Sequence, residues 1–233
     1  MTMQLDKFLK NIALSACNIC GSTAFRDGPG GRRFNGIPPT CEKCGSLERH
    51  RALRSIFNRL DTSLFTDLIA LQFSLDPSID EKWFRRCDRS IYGKRNSYDL
   101  QKIPLPVGAY DVVVCNHVIE HVEDDRAAFT ELCRITSTRG FAFVSVPNPA
   151  ERQKTADWGY PNPKDHGHYR VYGVDIVDRI KAYLPDTWCV MIKDTDPVTR
   201  REDIGFILSK ARLWHDLPIR LGMRAKSVNK VAA

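Results

Sequence analysis

No apolar run in these 233 residues approaches the roughly 20 that a membrane span requires, so no spanning helix is expected. The first sixteen residues are interrupted by Asp6, Lys7, Lys10 and Asn11, which leaves no apolar region of the kind an export signal carries. A cytoplasmic location is the expectation. Glycine is missing from the whole stretch between Gly45 and Gly93, and Phe25 and Phe34 are the only aromatic residues between Cys17 and Cys44. The first absence removes the usual means of bringing backbone close to a ligand. The second removes the platforms on which nucleic-acid bases stack.

What is present is an ordinary globular composition, 42% hydrophobic and 27% charged, with a formal net charge of +7. The excess is an ordinary one for a soluble protein, although it also favours anionic partners. Basic residues gather at Arg49, Arg51, Arg54 and Arg59, and again at Arg212, Arg220, Arg224, Lys226 and Lys230. The length allows one domain of usual size plus a small appendage.

Four of the eight cysteines form two copies of one pattern, Cys17-Asn-Ile-Cys20-Gly21 and Cys41-Glu-Lys-Cys44-Gly45. Two thiolates separated by two residues grip one ion from a tight turn, and a glycine after each pair lets the chain leave with positive φ. Four sulfurs suit tetrahedral Zn²⁺ in a closed, structural site. The intervening segment, with Gly28, Pro29, Gly30, Gly31, Gly36, Pro38 and Pro39, fits short strands and loops. Disulfides would call for an export signal, a redox motif needs only one pair, and an iron–sulfur centre stays open as an alternative. Cys87, Cys115, Cys133 and Cys189 lie singly among apolar residues and are expected to be reduced and mostly buried.

Leu47, Leu53, Ile56, Phe57 and Leu60 are spaced for a helix, with Ser46 as its N-cap. His50 reads as a surface or interface residue, since the cysteines complete the metal shell. Beyond Asp61, apolar runs alternate with helical stretches. Strands are expected over 65–73, 90–93, 111–115, 141–146, 188–193 and 203–209, and helices over 78–86, 124–136 and 175–184, with Gly140 ending the second helix. Such alternation predicts a mainly parallel sheet covered on both faces, binding its ligand at the strands' carboxyl ends. The division expected is a zinc ribbon with an N-terminal helix (1–46), a linking helix (47–62), a Rossmann-like α/β domain (63–211) and a basic C-terminal tail (212–233), whose last dozen residues are expected to fray.

Residues 110–125, Tyr-Asp-Val-Val-Val-Cys-Asn-His-Val-Ile-Glu-His-Val-Glu-Asp-Asp, resemble the fourth-strand motif of class I S-adenosylmethionine-dependent methyltransferases. The lead-in from Pro104 and the strand ending in Val146-Pro147-Asn148 are similar as well. The two cysteine pairs, residues 44–50 and residues 165–173 resemble a bacterial subgroup in which a four-cysteine ribbon precedes a type-11-like methyltransferase domain. The resemblance implies S-adenosylmethionine as cofactor. Asp99 and Leu100 match the motif that usually contacts adenine, and Asp76 falls in the first loop. Asn116 and His117 lie just past a buried strand, where His117 could contact the ligand, pack under adenine or cap the next turn. Glu120 and His121 are expected to brace that turn by hydrogen bonds. His166 and His168, in the segment that commonly covers the acceptor, are candidates for general base or acceptor contact.

Two departures stand against this pattern. Residues 73–80, Phe-Ser-Leu-Asp-Pro-Ser-Ile-Asp, replace the glycine-rich turn, and Tyr92-Gly-Lys-Arg-Asn96 stands where an acidic residue would accept the ribose hydroxyls. Lys94 and Arg95 cannot accept them. A methyltransferase acting on a small molecule or glycan is the favoured reading. The other is an RNA methyltransferase, or a degenerate methyltransferase-fold protein that contacts nucleic acid through the ribbon and Arg49, Arg51, Arg54 and Arg59.

Overall fold

The computed structural model describes residues 16–230; the helix expected at the N-terminus lies outside them. Two short strands, β1 (Phe25–Arg26) and β2 (Thr40–Cys41), pair antiparallel and bring the two cysteine pairs together. Gly21 and Gly45 hold φ at +75° and +70°, as the turn after each pair demands. Helix α1 (Glu48–Arg59) follows. Its N-cap is Leu47 rather than Ser46. The His50 ring accepts the Leu47 N–H at 3.1 Å through Nδ1, while the Ser46 hydroxyl lies 3.4 Å from Cys17 Sγ and 3.2 Å from Cys44 Sγ.

The strands β3 (Ile69–Phe73), β4 (Arg86–Ser90), β5 (Tyr110–Asn116), β6 (Thr136–Ser145), β9 (Trp188–Thr195), β10 (Glu202–Ser209) and β11 (Ala225–Asn229) form one sheet in the order β11-β9-β10-β6-β5-β3-β4. Strands β4, β3, β5 and β6 are mutually parallel, and β9 runs with them between the reversed β10 and β11. A separate antiparallel hairpin joins β7 (Ala156–Asn162) to β8 (His168–Val171). Helices α2 (Asp125–Ile135) and α3 (Ile176–Tyr183) cover one sheet face; α1 and α4 (Arg212–Arg220) cover the other.

Strand β5 shows why the pattern reads as parallel. Val113 and Cys115 pack with Phe129 and Ile180 on one side, and Val112 and Val114 with Leu53 and Phe57 on the other. A strand buried on both faces needs an unbroken apolar run. Helix α1 does more than link, since Leu53, Ile56 and Phe57 are fully buried against the sheet.

Three expectations need correction. Residues 212–229 do not fray: they form α4 and the edge strand β11, with Trp214 buried and its indole donating to the Arg139 carbonyl at 2.8 Å. Trp214, Met223 and Val228 are buried in the two cores and β11 pairs with β9, so apolar packing as well as backbone pairing holds this segment. The second strand is Arg86–Ser90 rather than 90–93, because residues 78–86 contribute only a 3₁₀ turn, Glu81–Trp83. Gly140 does not end a helix. It lies inside β6, where a Cβ would sit 1.7 Å from the Asp111 carbonyl oxygen, so the two strands approach as only glycine permits.

Candidate active site and metal centre

The parallel strands end in register, with Ser90, Phe73, Cys115 and Val144 abreast. Beyond this edge opens a cleft of about 640 Å³, walled by Phe73, Ser74, Tyr98, Leu100, His117 and Val118 and capped by Pro161, His166 and Tyr169 of the hairpin. Its volume suits a nucleoside-sized ligand. The Phe73–Asp80 stretch does not plug it: Leu75 turns outward, 63% exposed. A second cleft of about 610 Å³ lies toward the ribbon, and His117, His121 and His166 line both.

Backbone strain collects here. Five non-glycine residues among those described have positive φ, and three of them line the first cleft: Ser74 (+73°), His117 (+52°) and His166 (+55°). Each costs about 1–3 kcal/mol and persists only where its surroundings dictate it. Ser74 makes the turn left-handed without glycine, and its N–H donates to the Ser90 carbonyl at 2.9 Å.

Of the residues proposed for the cofactor, Leu100 and His117 line the cleft; Asp76, Asp99 and Asn116 do not. Asn116 is buried in a relay instead: its amide donates to Ser78 Oγ at 2.8 Å and accepts from Ser145 Oγ at 3.0 Å. Asp76 accepts the Ser78 N–H at 2.8 Å, and its carbonyl accepts Gln72 Nε2 at 2.8 Å. Both residues therefore stiffen the first loop from beneath. Asp99 is exposed and accepts the Gln101 N–H at 2.9 Å as a turn carboxylate. At the end of β4 Ser90 faces the cleft, its Oγ accepting the Tyr98 N–H at 2.9 Å, and no carboxylate of the described residues lines the cleft.

His166 faces both clefts, whereas His168 faces only the second. Burial, then the neighbouring His121, pushes the His168 pKa down to about 4. From the sequence, Glu120 is expected only to brace the turn. Glu120 is 1% exposed and its Oε2 has no hydrogen-bond partner; burial raises its pKa. A buried acidic residue directly before a histidine, on the same turn as His117, was the signal available.

The hairpin that caps the cleft is fastened by Arg170, itself 3% exposed. Its guanidinium bonds Asp157 Oδ2 at 2.8 Å and the Val122 carbonyl at 2.7 Å. Residues 156–171 thus form an anchored hairpin.

In the ribbon, the sulfurs of Cys17, Cys20, Cys41 and Cys44 lie within 4.8 Å of one another, with Cys17–Cys44 at 3.7 Å and Cys20–Cys41 at 3.5 Å. Four thiolates at about 2.3 Å from one tetrahedral ion stand about 3.8 Å apart. The donor set therefore fits a metal ion with no open position. The remaining four cysteines are free thiols, Cys87 half-buried and the others buried.

The basic run after Cys44 is divided: Arg49 lines the second cleft and Arg59 is exposed, but Arg51 and Arg54 are not available as a phosphate-binding face. Arg51 is completely buried in a bidentate pair with Asp196 (2.8 and 2.9 Å), and Arg54 donates to the Pro77 carbonyl at 2.9 Å and stacks on Trp83. These guanidiniums face the core because the helix turns that side to the sheet.

The family model described as "Methyltransferase domain" matches residues 7–189. The chain belongs to this methyltransferase family. No curated protein matches it. Among solved structures it is similar to the [4+2]-cyclase SpnF (10% identity, 88% of this chain and 92% of that one, TM-score 0.49). It is also similar to the N-methyltransferase NodS of Bradyrhizobium japonicum, solved with S-adenosyl-L-homocysteine (10%, 68% and 86%, TM-score 0.45). A third is 1,6-didemethyltoxoflavin-N1-methyltransferase of Burkholderia thailandensis (10%, 70% and 79%, TM-score 0.47). Likeness at this level does not carry over substrates. The fold is that of a Rossmann-like methyltransferase domain preceded by a cysteine cluster, and no helix of the described residues is long and apolar enough to cross a membrane.

Proposed function

We propose that this protein transfers a methyl group from S-adenosylmethionine to a small-molecule or glycan-type acceptor, and that Cys17, Cys20, Cys41 and Cys44 hold a structural Zn²⁺. The observation that carries the reading is the pair of clefts meeting at His117, His121 and His166. One lies at the sheet edge where a nucleoside belongs in this fold, and the other is open for an acceptor. When bound, the cofactor supplies an electrophilic methyl group on a sulfonium.

The chain's own residues align and dehydrate that encounter. Phe73, Tyr98, Leu100 and Val118 offer an apolar bed for the adenine. Ser74 and His117 bring strained backbone against the ligand. His166, shared by both clefts, is placed to take a proton from an acceptor hydroxyl, and His168 edges the acceptor side. Tyr169 and Pro161 exclude water from above.

Calorimetric titration with S-adenosylmethionine and S-adenosylhomocysteine tests this. The native protein should release heat. His117→Asn, which tolerates the left-handed backbone, should bind about tenfold more weakly, about 1.4 kcal/mol. Asp99→Ala should bind normally. Silence from the native protein at millimolar ligand would remove the reading.

A further inference from the structure

The second cleft holds a cluster that methyl transfer itself does not require. Glu120, His121 and His168 each offer one ligand atom, and these atoms lie within 4.8 Å of one another. Glu120 and His121 stand on the 3₁₀ turn after β5, and His168 opens β8, so two separate elements converge. Their placement leaves polar atoms stranded. Glu120 Oε2 and His168 Nδ1 are buried without a hydrogen-bond partner, on side chains whose residues are only 1% and 9% exposed. An unsatisfied buried carboxylate oxygen or ring nitrogen is costly. Two of the three clustered residues thus carry an unpartnered buried polar atom, which calls for a partner from outside the side chains present. The imidazoles of His121 and His168 meet edge to face with centroids 4.6 Å apart, which keeps the two rings adjacent.

We propose that Glu120, His121 and His168 form a second metal centre for one divalent transition-metal ion, open toward the acceptor cleft. Two imidazoles and a carboxylate suit Mn²⁺, Co²⁺, Ni²⁺ or Zn²⁺ and leave further coordination positions free. Three ligand atoms at about 2.1 Å from one ion stand about 3.0–3.4 Å apart in octahedral or tetrahedral geometry, so atoms within 4.8 Å of one another close by up to about 1.4–1.8 Å. Rotation of the three side chains about their χ angles supplies that. The ion differs from that of the ribbon in ligand type: the ribbon's thiolates select soft metals in a closed shell, whereas this site offers nitrogen and oxygen. All three ligands line the acceptor cleft, so the open positions face the acceptor. Resting on the methyl-transfer reading, this narrows the acceptor class to molecules that present oxygen to a metal, such as vicinal hydroxyls or a hydroxy acid. A bound hydroxyl would lose its proton more readily, with His166 at hand to receive it.

The test uses the whole protein with its ribbon loaded with zinc. Mn²⁺ is titrated and free ion followed by electron paramagnetic resonance; Co²⁺ is titrated in parallel and followed by its visible absorption. One equivalent per chain should bind at micromolar ion, with a cobalt spectrum of nitrogen and oxygen ligation rather than thiolate ligation. His121→Ala and His168→Ala should each weaken binding at least tenfold while retaining the ribbon's zinc and a cooperative thermal transition. Glu120→Gln supplies a second check, since it keeps the buried shape and removes the charge. No uptake of either ion by the native protein, or equal uptake by the His121 and His168 variants, overturns the proposal. Titrating S-adenosylmethionine into the same samples separates the two ideas. Metal uptake without cofactor binding sinks methyl transfer and leaves the centre standing, and the reverse result sinks the centre alone.

Discussion

Ser74 holds φ at +73° with a side chain that prefers otherwise. Replacing Ser74 by Gly should raise stability by about 1 kcal/mol, because the left-handed backbone then costs nothing. Urea denaturation would measure it, and a variant less stable than the native protein would show that the serine contributes more than its strain removes. Asp111 gives a second prediction. The Arg139 guanidinium, with help from the Ile69 N–H and Ser137, holds its carboxyl down at about 2, although burial works against this. A carboxyl whose folded pKa lies below its ordinary value contributes stability that is complete above about pH 4 and fades as pH falls through about 2. On the order of 2 kcal/mol is at stake. Asp111→Asn should flatten the acid limb of the stability profile between pH 4 and pH 2; an unchanged limb would refute the linkage. None of this strain or pKa shift is legible in a sequence, since Ser74 and Asp111 are ordinary residues until β3, β5 and β6 come together.

At the scale of elements, the β7–β8 hairpin is the part whose position decides the site. It places His166 and Tyr169 over the first cleft, and Arg170 pins it to the turn after β5. Arg170→Ala removes that pin and leaves the Asp157 carboxylate without its closest partner. Amide exchange over Ala156–Val171 should accelerate about tenfold or more, a change of about 1.4 kcal/mol, while β5 keeps its protection. Acceleration spread evenly over the sheet would mean that Arg170 stabilises the fold as a whole. The sequence made this segment visible as dense in polar and aromatic residues. Its strand pairing was not readable, because the glycines and prolines of residues 159–167 look the same in a loop and in a bulged hairpin. Strands β5, β6, β9 and β10 were readable, being buried on both faces and therefore continuously apolar. Strand β4 was not, since Arg86, Asp88 and Arg89 occupy an edge strand with one neighbour.

For the molecule as a whole, the cysteine cluster and the sheet are coupled. Helix α1 leaves the ribbon beside Cys44, buries its apolar side on the sheet, and sends Arg51 to Asp196 in the turn between β9 and β10. Asp196 also accepts the Thr199 N–H at 2.9 Å and the Thr199 hydroxyl at 2.6 Å. Arg51→Met should cost about 3–5 kcal/mol, because it strands a buried carboxylate. Removing the Zn²⁺ proposed for the cluster with a strong chelator should lower the single thermal transition rather than produce an independent melting of residues 16–46. Two separated transitions in calorimetry would show that the ribbon is thermodynamically separate.

The sequence alone determined the features carried by local spacing. Two CxxC pairs followed by glycine announce a four-sulfur cluster, unbroken apolar runs announce buried parallel strands, and the motif around Asn116 marks the family. Tertiary structure decided which polar residues face the ligand. Asn116, Asp76 and Asp99 turn away from the cleft, Arg51 and Arg54 point into the core, and Glu120 and His168 arrive at one place from positions 48 residues apart. The physical reason is that motif spacing and apolar periodicity are properties of neighbours along the chain. The direction of a polar side chain depends instead on which partners, distant in sequence, the fold leaves available to it.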